Sequence, residues 1–110
     1  MNTYFPNRGD VVWLDYDPQL GHEQAGKRPA LVVSPVDYNK KVGLALFYLI
    51  TSQIKGYPFE VRIVLSKING VVLADQIKNL DWRARKIKFI ETAPEEILKK
   101  AKEKLDWLME

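Results

Sequence analysis

Cysteine is absent from these 110 residues, and histidine occurs once, at position 22. The first absence excludes disulfides and thiolate metal sites, and the second excludes a zinc or iron centre built from several imidazoles. A reducing compartment is compatible with that usage. Long apolar runs are also missing. The start, Met1-Asn2-Thr3-Tyr4-Phe5-Pro6-Asn7-Arg8-Gly9, has no signal-peptide core, and the longest apolar stretch, Leu44 to Ile50, falls far short of the roughly 20 residues of a membrane helix. A soluble, cytoplasmic protein is expected.

A hydrophobic content of 46% over 110 residues is enough for one compact core but not two, so the whole chain, 1–110, reads as one domain. The formal net charge is +3. Arg83, Arg85, Lys86 and Lys88 fall within six residues, and Lys99, Lys100, Lys102 and Lys104 mark one side of the last segment. These clusters suit a polyanionic partner such as nucleic acid, and equally a solvated face.

Short apolar runs separated by turn formers dominate the first nine-tenths of the chain, which points to a mainly β domain. Strands are expected at Asp10–Tyr16, Ala30–Ser34, Leu44–Thr51 (buried on both faces), Phe59–Val64, Val71–Asp75 after Asn69-Gly70, and between Lys86 and Glu91. Five or six short strands leave exposed edges in a flat sheet, and closure into a small SH3-like barrel removes them. The C-terminal segment differs. Thr92-Ala93-Pro94-Glu95 fits a capping box with proline in the first turn, and Ile97, Leu98, Ala101, Leu105 and Leu108 recur at helical spacing. An amphipathic helix docked on the barrel follows, with its lysines on the wet side.

Residues 21–29, Gly21-His22-Glu23-Gln24-Ala25-Gly26-Lys27-Arg28-Pro29, fit neither periodicity and form a long loop between two expected strands. The loop sets Glu23 and Arg28 five residues apart. A carboxylate can accept a proton from a hydroxyl, while a guanidinium stays charged and offers a planar donor fork suited to phosphate. Together they fit attack of a ribose 2′-hydroxyl on the neighbouring phosphodiester. That chemistry needs no metal, and the chain shows no obvious metal cluster. Gly21 and Gly26 let backbone approach a ligand closely and can offer amide donors. The plainer reading is a surface ion pair, worth about 0 to 1 kcal/mol.

Ordered blocks across the chain carry a resemblance. Arg8 to Pro18, Gly21 to Pro29, Val33-Ser34-Pro35, Ile50-Thr51-Ser52-Gln53, Lys55-Gly56-Tyr57-Pro58-Phe59-Glu60-Val61, Ala74-Asp75-Gln76-Ile77-Lys78 and Trp82-Arg83-Ala84-Arg85 together resemble the MazF/PemK toxin family. The resemblance implies a homodimeric endoribonuclease with an SH3-like barrel, belonging to a toxin–antitoxin pair. It would cut single-stranded RNA at short sequences without a cofactor or metal, leaving 2′,3′-cyclic phosphate and 5′-hydroxyl ends.

In that resemblance Glu23 matches the general base, Arg28 the arginine that stabilises the transition state, and Thr51 a hydroxyl that contacts the scissile phosphate, with Ser52 or Gln53 assisting. A guanidinium with a pKa above about 12 is a poor proton donor, which favours an electrostatic role for Arg28. His22 has the better-matched pKa for protonating the leaving group, although its position varies in the family. RNA contacts are expected from Gln24, Gly26, Lys27, Ser52, Gln53, Lys55 and Lys78, with Asp75 and Gln76 reading base edges. Asp75 can equally hold Arg83 or Arg85, and Tyr57 offers a stacking face or simply builds a turn. The basic residues 83–88 suit RNA and an acidic antitoxin tail alike.

Two other classes remain open at this level. A noncatalytic SH3-like binding module has the same barrel without needing Glu23 and Arg28 together. A CcdB-like gyrase poison shares the barrel but ends Trp-Gly-Ile, whereas this chain ends Trp107-Leu108-Met109-Glu110.

Overall fold

The computed structural model describes residues 3–15 and 27–110. Gly21, His22, Glu23, Gln24 and Gly26 therefore lie outside the described residues, as does Tyr16, the expected last residue of the first strand. The elements are β1 (Asp10–Asp15), β2 (Lys27–Val32), α1 (Val36–Val42), β3 (Leu44–Thr51), β4 (Glu60–Val64), β5 (Asn69–Asp81), β6 (Lys88–Thr92) and α2 (Glu95–Leu108).

The strands form one antiparallel sheet in the order β4-β5-β3-β2-β1-β6. Period-two alternation sends successive side chains to opposite faces. On β3, Tyr48 and Ile50 enter one apolar cluster while Ala45 and Phe47 enter the other; on β2, Leu31 faces the first and Ala30 and Val32 the second. Ala101 of α2 is fully buried in the first cluster, with Ile97, Leu98 and Leu105 packed against it. Trp82 fills the second, backed by Phe5 and Ile87. Both faces of β3 are thus covered, as its unbroken apolar run requires.

The expected SH3-like barrel is realised as a mainly β, curled six-stranded half-barrel with two helices. Its outer strands, β4 and β6, do not pair as a ladder. A side-chain clasp joins them instead: the Glu91 carboxylate of β6 accepts from Ser66 Oγ (2.8 Å) and from the Lys67 backbone N–H (2.7 Å) in the β4–β5 turn.

Several sequence expectations need correction. The strand expected to end at Asp75 runs on to Asp81, because Ile77 and the polar residues Lys78 and Asn79 still pair with β3. The seven-residue helix α1 was not expected; it spans two turns, too short to show a repeat, and stops at Gly43 with φ 82°. The capping box does not form. Thr92 belongs to β6, Pro94 is the N-cap of α2, and no side chain caps it. Leu108 is exposed rather than docked.

Asn39 of α1, fully buried, holds the second face together. Its amide donates to the carbonyls of Pro6 (2.8 Å) and Ser34 (2.9 Å), its side-chain oxygen accepts from Ser34 Oγ (2.5 Å), and its backbone carbonyl accepts from the Trp82 indole (3.0 Å). Every polar atom of that side chain is satisfied, as burial demands.

Candidate active site

β2 and β3 pair as far as Ala30 opposite Leu49, and beyond that last pair Arg28 of β2 and Thr51 of β3 line the same space. Thr51 is the last residue of β3 and pairs on its other side with Val71 of β5. Its Oγ1 accepts from the Gln53 backbone N–H at 3.2 Å, so it does cap the turn, and its own hydroxyl proton remains available to a ligand. The Arg28 side chain is exposed and makes no hydrogen bond or ion pair among the described residues. An unpaired guanidinium beside a hydroxyl on two rigid strands is an anion site with its donor fork unspent.

A cleft of about 460 Å³ opens beside this pair, and its lining includes Arg28, Thr51, Gln53, Lys55, Asp75 and Gln76. The way β5 reaches it is specific. Tyr48 pairs with Ile77 but its neighbour Leu49 pairs with Leu73, so residues 74–76 have no partner on β3. Irregularities of this kind re-aim side chains next to sites, and here the freed stretch carries Asp75 and Gln76 to the cleft.

The opposite wall is the 52–59 loop, whose shape is imposed by three contacts. Glu60 uses both carboxylate oxygens to accept the backbone N–H groups of Lys55 (3.0 Å) and Gly56 (3.1 Å); Gly56 has φ 77°, which glycine adopts without strain. Lys104 of α2 donates to the Pro58 carbonyl at 2.7 Å. The Tyr57 hydroxyl donates to Asp75 Oδ2, and this bond, followed by desolvation and the carboxylate charge, pushes the Tyr57 pKa up. Asp75 Oδ1 is buried without a partner among the described residues.

These contacts revise other expectations. Asp75 holds Tyr57, not an arginine. Arg83 donates to the Lys40 carbonyl at 3.0 Å and lies over the Trp82 ring at 5.0 Å, while Arg85 donates to the Asp15 carbonyl at 3.0 Å. Two members of the 83–88 cluster therefore brace the frame, and Arg85 fixes the end of β1. Lys78, opposite Phe47 on β3, lines neither the cleft nor the depression next to it. Lys27 and Ser52 line that adjoining depression rather than the cleft itself. Sequence reasoning missed Glu60; its Pro58-Phe59-Glu60-Val61 setting reads as strand alternation and gives no sign that the carboxylate turns back on the loop.

Among the described residues, no group of three or more histidines, aspartates and glutamates converges as a metal cradle, and no helix is long and apolar enough to cross a membrane.

Comparison with known proteins agrees with this architecture. Residues 7–109 match the family model described as the PemK-like, MazF-like toxin of type II toxin–antitoxin systems. Over 98 residues, 88% of each chain, the sequence is 51% identical to the endoribonuclease toxin MazF of Escherichia coli (strain K12). The crystal structure of MazF from Deinococcus radiodurans superposes with a TM-score of 0.87 at 46% identity, covering 97% of this chain and 98% of the other. A MazE-MazF crystal structure from the same organism gives 0.86 at 41% identity, covering 97% of each chain.

Proposed function

The chain belongs to the PemK-like, MazF-like toxin family of type II toxin–antitoxin systems, and from that membership and the cleft we propose how it acts as an endoribonuclease toxin. Single-stranded RNA lies across the Arg28–Thr51 pair. A ribose 2′-hydroxyl gives its proton to Glu23 and attacks the adjacent phosphorus, the bond from phosphorus to the 5′-oxygen breaks, and the departing oxygen takes a proton from water while Glu23 returns its own to solvent, which leaves a 2′,3′-cyclic phosphate and a 5′-hydroxyl. Arg28 stabilises the extra negative charge on the pentacoordinate phosphorus and Thr51 donates to one of its oxygens. Such preorganised donors commonly contribute about 3 to 4 kcal/mol each. The step needs a base and a charge stabiliser, both supplied by side chains, and no metal.

The observation that carries this reading is the Arg28 guanidinium, without a partner among the described residues, lining the cleft together with Thr51. Asp75 and Gln76 border the same space and read base edges, while Gln53 and Lys55 contact backbone. Gln24 and Gly26 complete the site from the β1–β2 connection, and Lys78 contacts flanking RNA only. The protein is a single domain that works as a homodimer in the cytoplasm, and an acidic antitoxin neutralises it by covering this cleft. With endoribonucleases among the relatives, neither the noncatalytic module nor the gyrase poison is favoured.

The test is to incubate the purified protein with a long unstructured RNA in excess EDTA beside Glu23→Ala and Arg28→Ala. Cleavage at a few recurrent sequences with cyclic phosphate ends, lost in both variants, is the expected result. Intact RNA with folded wild type, or normal cutting by both variants, overturns the reading.

A further inference from the structure

Arg28, Ile50 and Thr51 line the cleft on one side and a separate depression of about 390 Å³ on the other. The two differ in charge. Among the described residues, the cleft lining holds two cations, Arg28 and Lys55, and two carboxylates, Glu60 and Asp75, whereas the depression holds three cations, Lys27, Arg28 and Lys67, and no carboxylate. Neither the Lys27 nor the Lys67 ammonium makes an ion pair among the described residues.

We propose that this depression is a second nucleotide subsite, which holds the RNA phosphate and sugar on the far side of the scissile bond from the bases that Asp75 and Gln76 read. The inference rests on the ribonuclease reading of the shared Arg28–Thr51 wall. Its size lies within the roughly 300–1,000 Å³ range of small-molecule sites. Its chemistry is that of a nucleotide binder. Three cations meet the phosphate, and the half-buried Trp13 indole supplies an aromatic wall. Asn69 adds a donor: its side-chain oxygen already accepts from Arg62 Nη2 at 2.6 Å, which leaves its amide hydrogens without a partner among the described residues.

Lys67 is held for this task from behind. The Glu91 clasp takes the Lys67 backbone N–H, and the Leu65 N–H donates to the Ile68 carbonyl at 2.6 Å, so the turn is fixed; the ammonium feels the Glu91 carboxylate electrostatically but forms no ion pair with it. A chain crossing from the cleft over Arg28 and Thr51 enters the depression that Lys67 also lines. The mixed cleft is thus suited to base discrimination, and the cationic depression to sequence-independent grip.

The experiment uses oligoribonucleotides with a 2′-O-methyl group at the mapped cut position, so that they bind without being cut, together with versions trimmed by one nucleotide at either end. Affinity is measured across a salt series for wild type, Lys67→Gln, Lys67→Arg and the charge control Lys41→Gln, whose side chain is exposed on α1. Lys67→Gln is expected to weaken the full oligonucleotide about tenfold and lower the salt slope by about 0.7, the value for one phosphate contact on a single strand. It should weaken much less the version trimmed at one end, Lys67→Arg should restore binding, and Lys41→Gln should match wild type. Equal weakening of full and trimmed RNA by Lys67→Gln, or no weakening, overturns the subsite while wild-type binding upholds the ribonuclease reading. Wild-type protein that binds none of these RNAs overturns both.

Discussion

Gly70 lies against Thr51 so closely that a Cβ at position 70 would stand 2.2 Å from the Thr51 carbonyl oxygen and 3.1 Å from the Ser52 Cα. Only glycine permits this approach, and it brings the end of β3, with the Thr51 hydroxyl, to its place beside Arg28. Gly70→Ala must push backbone from backbone, at a cost of about 1 to 3 kcal/mol. The expected outcome is a lowered urea midpoint together with a fall in cleavage rate, and a variant with wild-type values of both would contradict the account.

The role proposed for Arg28 uses both charge and shape. Arg28→Ala should reduce single-turnover cleavage by about 10²- to 10³-fold, and Arg28→Lys should recover only part of that loss, because an ammonium cannot bridge two phosphate oxygens. Full activity in the lysine variant would reduce the role to charge alone.

Tyr57 is tied to Asp75 across the cleft. Tyr57→Phe removes the only hydrogen bond that Asp75 makes among the described residues and releases the loop from β5. A rise in KM of roughly three- to tenfold, larger than the change in kcat, is expected from losing one hydrogen bond to a charged group. A loss confined to kcat would instead place Tyr57 in the chemical step.

Asn39 is the centre of a buried polar knot. Asn39→Ala leaves the Ser34 hydroxyl hydrogen and the Pro6 and Ser34 carbonyls without their Asn39 partner in a buried place, so a loss of about 3 kcal/mol or more is expected in denaturant unfolding. Asn39→Asp should be no better, since it would bury a charge at the same place.

Glu91 predicts a pH effect. Desolvation pushes its carboxyl pKa up, but the bonds from the Ser66 hydroxyl and the Lys67 and Ser66 backbone, with the Lys67 charge, outweigh it and hold the value below the usual 4.5. A carboxylate depressed in the folded state adds stability above its unfolded pKa, and that stability is lost as pH falls through the folded value. Glu91→Gln should therefore lower the thermal midpoint near neutral pH and differ progressively less from wild type below about pH 4.5. A constant offset across that range would show that the clasp does not depend on ionisation.

Regular alternation made much of the fold readable. β3 runs from Leu44 to Thr51 as its apolar run indicates, and Ile97, Leu98, Ala101 and Leu105 face the sheet as their spacing requires. Polar residues concealed the rest. Gln76, Lys78 and Asn79 disguise the second half of β5, and Asn39 sits in a helix whose buried side is polar rather than apolar. In the site, the types and places of Arg28, Thr51, Asp75 and Gln76 were legible, whereas their supports were not. Glu60 on the loop amides, Tyr57 on Asp75 and Arg85 on Asp15 join residues that no local pattern relates.

The pairing of β1 with β6 also bears on how the protein comes into being. A chain leaving the ribosome at roughly 5 to 20 residues per second exposes Arg28 and Thr51 seconds before Lys88–Thr92 appears. Until then, β1 lacks its outer neighbour and Glu91 cannot fasten the turn that carries Lys67. Because contacts of such long sequence separation form late, the turn that carries Lys67 is fastened only after most of the molecule has left the ribosome.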